Sequence, residues 1–216
     1  MAKILMTNPA HDDITEYLRA WSQSIKSSAE KKGHKFLELE AKKVKKENVE
    51  KFLKKQNPKF VIFHGHGGKD CICGFGKEEI IVKKNLNDHL LKNKIIYSVT
   101  CESASELGTS VIKKGGIAFV GFKEEVWCPF DPSYMSDPLK DEIARCNLEP
   151  IMLFSQSVVK GNTVEEAYQK SQNCFKRWLD RCQRSDAPYE LQGLAVFIHW
   201  NMINQEIIGD KTAVLK

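Results

Sequence analysis

Two apolar runs near the middle of the chain each end on a reactive side chain, and this limits the possible folds more than any other feature. The first, Phe60-Val61-Ile62-Phe63, opens into His64-Gly65-His66-Gly67-Gly68. The second, Ile95 to Thr100, ends on Cys101-Glu102-Ser103-Ala104. Runs this short, rich in β-branched and aromatic residues and bounded by glycine and lysine, have the character of buried parallel strands. In an open α/β sheet, chemistry collects beyond the carboxyl ends of the strands. Two such strands side by side would hold an imidazole and a thiol over one crevice, as a Cys/His nucleophilic site requires.

The flanking sequence supplies the remaining layers. Ile4-Leu5-Met6 reads as a first strand, stopped by Thr7-Asn8-Pro9. A helix is expected from Asp12 or Asp13, either of which can cap it, with Ile14, Leu18, Trp21 and Ile25 at helical spacing and Gly33 at its end. A second strand runs from His34 to Glu40, and a surface helix from Lys42 to Lys55. After Gly68 the chain makes an excursion from Cys71 to Val82, with a turn at Gly74-Phe75-Gly76. A short helix from Asn85 to Lys92 leads into the Cys-bearing strand, and a helix from Ser103 to Lys114 follows it. A fifth strand spans Ile117 to Phe122, and Lys123 to Pro138 reads as a loop over the site.

Two helices are then expected, Leu139 to Lys160 and Thr163 to Arg184, the second opened by a Thr163/Glu166 capping box. Gln192 to Trp200 reads as a last long strand, with Ile203 to Ile208 returning beside it. Strands alternating with helices imply an α/β architecture, a mostly parallel central sheet with helices on both faces. Neither a repeat nor a linker divides the sequence, so one domain is expected over 1–216.

Composition narrows the function classes. The net charge of +5 is a mild excess, and the lysine-rich run from Lys42 lacks interleaved aromatics, so no nucleic-acid partner is expected. Seven cysteines are scattered without a compact framework, no leader-like segment stands at the start, and no apolar run approaches membrane-spanning length. A reduced, cytoplasmic chain with no membrane association is the expectation.

Phe63-His64-Gly65-His66-Gly67-Gly68 and Val99-Thr100-Cys101-Glu102-Ser103-Ala104 together resemble the caspase-like cysteine peptidases of clan CD, closest to the CHAT, separase and gingipain-like branches. Ala118 to Phe122, Lys160 to Ala167 and Ile207 to Asp210 look like later blocks of the same domains. The resemblance implies a caspase-like three-layer sandwich, with His66 as the catalytic histidine and Cys101 as the nucleophile. It implies a protein substrate, no cofactor and no metal. An activating or regulatory partner is plausible beside it, because no long cleavable linker separates Cys101 from Ile117.

The residues themselves say how such a site would work. A free thiol of pKa ~8.5 is mostly protonated at neutral pH, so it needs a base. Cys101 is expected where a strand turns directly into a helix, whose N-terminus would favour a thiolate. The backbone N–H groups of Gly67 and Cys101 are the candidate oxyanion donors. Asp12, Asp13, Trp127 and Asp131 are candidate substrate contacts on loops around the crevice, with Glu124 and Glu125 as further carboxylates. Asp12 or Asp13 could equally be no more than a helix cap.

The carboxylates point to cleavage after Arg or Lys. An Asp-specific pocket would need arginines, and Arg19 is the one arginine before Asp141. Two other readings remain at this level. One is a catalytically silent scaffold working through a partner. The other is a metal-binding domain built from His64, His66, Cys71 and Cys73, whose Cys-x-Cys spacing is poor for zinc.

Overall fold

The computed structural model describes residues 1–76 and 78–216. Strand β1 (Lys3–Asn8) enters the core at once, buried from its second residue onward. Helix α1 (Asp13–Lys31) begins at a capping box: the Asp12 carboxylate accepts from the Thr15 N–H, and the Thr15 hydroxyl reaches back to Asp12. It returns the chain to β2 (Lys35–Glu40), which pairs parallel with β1 from Lys3↔Lys35 to Asn8↔Glu40. Helix α2 (Lys46–Gln56) buries Val49 and Leu53 and leaves its lysines in solvent. Strand β3 (Phe60–His64) is buried throughout.

The excursion after it is a small antiparallel sheet of β4 (Gly67–Gly68), β5 (Cys71–Cys73) and β6 (Ile80–Lys83). Then come β7 (Ile95–Val99), α3 (Leu107–Lys113), β8 (Ala118–Phe122), α4 (Glu142–Val159), α5 (Val164–Cys182), α6 (Ala195–Asn204) and β9 (Gln205–Gly209).

The main sheet has the order β2-β1-β3-β7-β8-β9, parallel except for β9, which runs antiparallel to β8. Its strands alternate between two cores. Ile4, Met6, Phe60, Ile62, Tyr97, Val99, Val120 and Phe122 face one cluster, closed by buried residues of α1, α4, α5 and α6. Leu5, Val61, Phe63, Ile96 and Phe119 face the other, under α2, α3 and the β5–β6 ribbon. Burial on both faces is why these strands read as continuous apolar runs rather than as alternation. The result is a three-layer α/β sandwich, as the alternation of elements implies. Among the described residues no helix is long and apolar enough to cross a membrane.

Three expectations need correction. Gln192–Trp200 is not a strand: after a 3-10 turn at Tyr189–Leu191 the chain turns once more and enters α6 at Ala195. Val196, Trp200 and Ile203 fall on the outer face of that helix, while Ile198 and Asn201 are buried beneath it. The apolar run Val196-Phe197-Ile198, rich in strand-favouring residues, loses to packing against α5 and to Asn201, whose side chain bonds Asn147 and the Trp127 backbone. The returning segment therefore pairs with β8. The helix expected from Ser103 starts only at Leu107, after a series of turns. The short helix expected at Asn85–Lys92 is a single 3-10 turn, Asp88–Leu91.

Candidate active site

β3 and β7 lie side by side in parallel, with His64 opposite Val99 as the last pair. Each chain then runs two residues further, to His66 and to Cys101. Gly65 ends β3 abruptly: its φ of +130 is one that a side chain rarely adopts, and an added Cβ would lie 2.8 Å from Pro9 Cγ. The chain leaves the sheet there, so His64 and His66 do not share an environment. Gly67 then passes directly against β7, since a Cβ on it would sit 2.9 Å from both Cβ and Oγ1 of Thr100. The two functional loops are thus in contact.

His64 is structural. It is fully buried, its Nδ1 donates to Asn8 Oδ1 at 2.7 Å, and burial pushes its imidazole down to about 3. His66 instead turns toward the start of α1. Its Nε2 lies 2.6 Å from Asp12 Oδ2, while Asp12 Oδ1 takes the Thr15 N–H and hydroxyl at 3.0 and 2.7 Å. Burial pushes the Asp12 carboxyl up, but the Thr15 and His66 hydrogen bonds and the nearby imidazole outweigh it and hold the group at about 2. An ionised Asp12 accepts a hydrogen bond from Nε2–H, which leaves Nδ1 of a neutral His66 with a free lone pair.

Cys101 sits on a polar scaffold that sequence reasoning missed. Beneath it the buried hydroxyls of Ser98, Thr100 and Ser103 bond one another, with Ser98 Oγ at 2.8 Å from Thr100 Oγ1 and 3.0 Å from Ser103 Oγ. The signal was available, because Ser98 and Thr100 alternate with Tyr97 and Val99 on an otherwise apolar strand. Above it, the Val126 N–H reaches Cys101 Sγ at 3.4 Å. Glu102 adopts φ +55 and donates its N–H to the Glu124 carbonyl at 3.0 Å, which fixes the loop after β8 over the thiol.

Burial raises the thiol's pKa; the Val126 N–H opposes this, and the Glu125 and Glu102 charges add to the rise. The expectation of a thiolate held by a helix N-terminus therefore fails. The helix begins too late, and at rest the group is a thiol.

In β4, Gly67 pairs with Ile72 and Gly68 with Cys71, while Cys73 N–H donates to the His66 carbonyl at 2.9 Å. In an antiparallel ladder the hydrogen-bonded pairs alternate with open ones, so the Gly67 N–H points away from β5.

Of the expected substrate contacts, Asp12 has both carboxylate oxygens engaged, by Thr15 and His66. Asp13 is exposed in the first turn of α1. Asp131 accepts from the Ser133 N–H at 2.9 Å and bonds through its backbone to Asp141 and Tyr17, so it caps a turn. Trp127 is 46% exposed and tilts against Phe197, with ring centroids 5.8 Å apart. The metal reading built on His64, His66, Cys71 and Cys73 is not assembled. Among the described residues the group able to hold an ion is His11, Asp12 and His66, without a cysteine.

No family model and no curated protein matches this sequence, so neither favours a CHAT or separase relationship. Solved structures do match it. One is the complex of the pro- and mature domains of Porphyromonas gingivalis RgpB, with a TM-score of 0.61 and 8% identity, over 100% of this chain and 48% of that one. Another is the Arg-specific cysteine proteinase gingipain R (RgpB), with a TM-score of 0.53 and 12% identity, over 99% of this chain and 47% of that one. The chain spans about half the length of each. At these identities the likeness is one of fold, and the fold is caspase-like: a mostly parallel sheet with helices on both faces.

Proposed function

We propose that this chain is a cysteine endopeptidase in which Cys101 attacks the scissile carbonyl and His66 carries the proton. The observation that supports it most is the meeting of the two loops after β3 and β7, with His66 anchored at 2.6 Å by Asp12. Because the resting Cys101 is a thiol, the proton moves as the bond forms: His66 Nδ1 takes it from Sγ while Sγ adds to the carbonyl carbon. Asp12 keeps Nδ1 aimed and stabilises the imidazolium. The Gly67 N–H, free of β5, and the Cys101 N–H would receive the oxyanion. The imidazolium then protonates the leaving amine, and water hydrolyses the acyl-enzyme by the reverse transfer.

For specificity we favour a basic residue before the cut. Glu102 and Glu125 lie close enough to Cys101 for their charges to raise its thiol, and Glu124 stands between them in the loop. The two arginines that flank this stretch in sequence are tied up, Arg19 by Glu16 at 2.7 Å and Arg145 by Glu142 at 2.8 Å. Asp12, engaged by Thr15 and His66, becomes an orienting residue rather than a pocket wall, and Trp127 remains a candidate wall. The fold likeness to an Arg-specific proteinase points the same way. A protein substrate follows from the chemistry. Control by a partner has a parallel in the RgpB structure, which holds a pro-domain with the mature one.

The test is a panel of fluorogenic peptides differing only in the residue before the cut, run on wild type and Cys101→Ala. Turnover of the Arg and Lys peptides, lost in the variant, is expected. Turnover that survives in pure Cys101→Ala would refute the nucleophile, and a preference for Asp would refute the pocket.

A further inference from the structure

His11 has no part in the chemistry above, yet it is the least satisfied polar side chain near it. It occupies the turn between β1 and α1 and is 12% exposed. Neither ring nitrogen has a hydrogen-bond partner among the described residues. Buried polar nitrogens are nearly always paired, and leaving one unpaired is costly. The ring stands edge-on to both His66 and Phe75, with centroids 5.5 and 5.7 Å apart, so it is held in place and shielded on one side. Its Nε2 lies 3.7 Å from Asp12 Oδ2, the same oxygen that His66 Nε2 approaches to 2.6 Å. One donor atom from each of the three residues falls within 4.8 Å of the other two.

We propose that His11, Asp12 and His66 form a binding site for a divalent transition-metal cation, zinc by its donor set, and that occupancy switches the peptidase off. Zinc takes imidazole nitrogen at ~2.0–2.1 Å and carboxylate oxygen at ~2.0–2.2 Å in a tetrahedron, which sets donor atoms about 3.3 Å apart. The two nitrogen-to-oxygen separations, 2.6 and 3.7 Å, straddle that value, and the two nitrogens lie within 4.8 Å of each other. Two imidazoles and one carboxylate leave the fourth position to water. The carboxylate and the backbone around the site are already held. Asp12 Oδ1 is fixed by Thr15, whose Oγ1 also accepts from the backbone N–H of His11 at 2.9 Å and so holds the turn that carries the ring.

The switch is a matter of tautomer. Without the ion, His66 Nε2 keeps its proton and donates it as a hydrogen bond to Asp12, and Nδ1 holds the lone pair. A cation on Nε2 uses that nitrogen's lone pair, so the ring's one proton moves to Nδ1. Nδ1 is then a donor and cannot take the proton from Cys101. This inhibitory half rests on the peptidase reading, whereas the binding half does not.

The experiment has two arms. In the first, the full chain, stripped with chelator, is dialysed against buffered micromolar zinc and its metal content measured. The expected result is one zinc per chain, retained in Cys101→Ala. Affinity should fall at least about tenfold in His11→Phe, which keeps the ring packing, and in His11→Gln. Cobalt bound in place of zinc should show ligand-field bands without a thiolate charge-transfer band. Absence of binding, loss of zinc in Cys101→Ala, or His11 variants that bind as wild type would each overturn the site.

In the second arm, peptide turnover is followed in chelator and then in zinc. Wild type should be reversibly inhibited. His11→Phe should match it in chelator and need at least about tenfold more zinc. Equal inhibition of both would overturn the switch. A chain inactive in chelator that still binds zinc as described would refute the peptidase reading and leave the site standing.

Discussion

His66 Nε2 meets Asp12 Oδ2 at 2.6 Å across 54 positions of sequence, joining the loop after β3 to the cap of α1. The same carboxylate holds the helix end through Thr15 and the imidazole through its other oxygen, so fold and chemistry share one residue.

Asp12→Asn separates the two roles. Asparagine caps a helix about as well as aspartate, so the start of α1 should survive the change. Its amide does not hold the imidazole as an ionised carboxylate does, and kcat should fall by on the order of 10²-fold or more. The native carboxyl, held at about 2 against an ordinary 3.8, adds stability that is complete above about pH 4 and is lost as pH falls toward 2. Urea midpoints of wild type and Asp12→Asn should therefore converge through that window.

His64 governs a different pH window. Burial holds it at about 3, below its ordinary 6.5, so the unfolded chain takes up the proton first. Stability is lost as pH falls from about 6.5 toward 3, by up to about 1.4 kcal/mol per pH unit. His64→Gln can still donate to Asn8 and does not titrate. Its urea midpoint should be flatter over that range while peptide turnover persists. Loss of turnover in His64→Gln alongside an active His66→Ala would place the base two residues earlier.

Gly67 and Gly68 make a matched pair. A Cβ at Gly67 would lie 2.9 Å from the Cys71 carbonyl oxygen and from Thr100, whereas one at Gly68 would meet Cys71 Sγ at an ordinary 3.8 Å. Gly67→Ala should cost about 1–3 kcal/mol and most of the turnover, because it forces the oxyanion donor off β7. Gly68→Ala should be close to neutral. Thermal melts with parallel kinetics distinguish the two.

Glu125→Gln should make Cys101 more reactive and less selective. Removing that charge lowers the thiol's pKa, so the alkylation-rate profile should move toward lower pH. The preference for Arg and Lys peptides over an Ala peptide should narrow in the same variant.

Much of this was legible in the sequence. Strands β1, β3, β7 and β8 announce themselves because burial on both faces demands unbroken apolar runs, and the edge strand β2 through Phe36, Leu37 and Leu39 set among charges. The caps of α1 and α5 stand at Asp12 and Thr163, where side-chain chemistry requires them. The failures have physical causes. Val196-Phe197-Ile198 looks like a strand in isolation, and tertiary contacts decide for α6: its packing on α5 and the Asn201 bonds to Asn147 and the Trp127 backbone. The turns from Cys101 to Glu106 look helical because their stabilising bonds run to Phe122, Glu124 and Lys69, remote in sequence. Asp12 as the partner of His66 depends on tertiary closure, which no spacing encodes.

Site-resolved labelling tests the central claim most directly. The chain has seven cysteines, and burial pushes competitors such as Cys73 and Cys128 up to about 11 and 12. Wild type and His66→Ala would be treated with an irreversible peptidyl acyloxymethyl ketone bearing arginine, and the adduct mapped by mass spectrometry. The expected result is a single adduct on Cys101, formed rapidly in wild type and at least about 10²-fold more slowly in His66→Ala. Adducts spread over several cysteines, or labelling of Cys101 that ignores the loss of His66, would contradict a Cys101–His66 catalytic site.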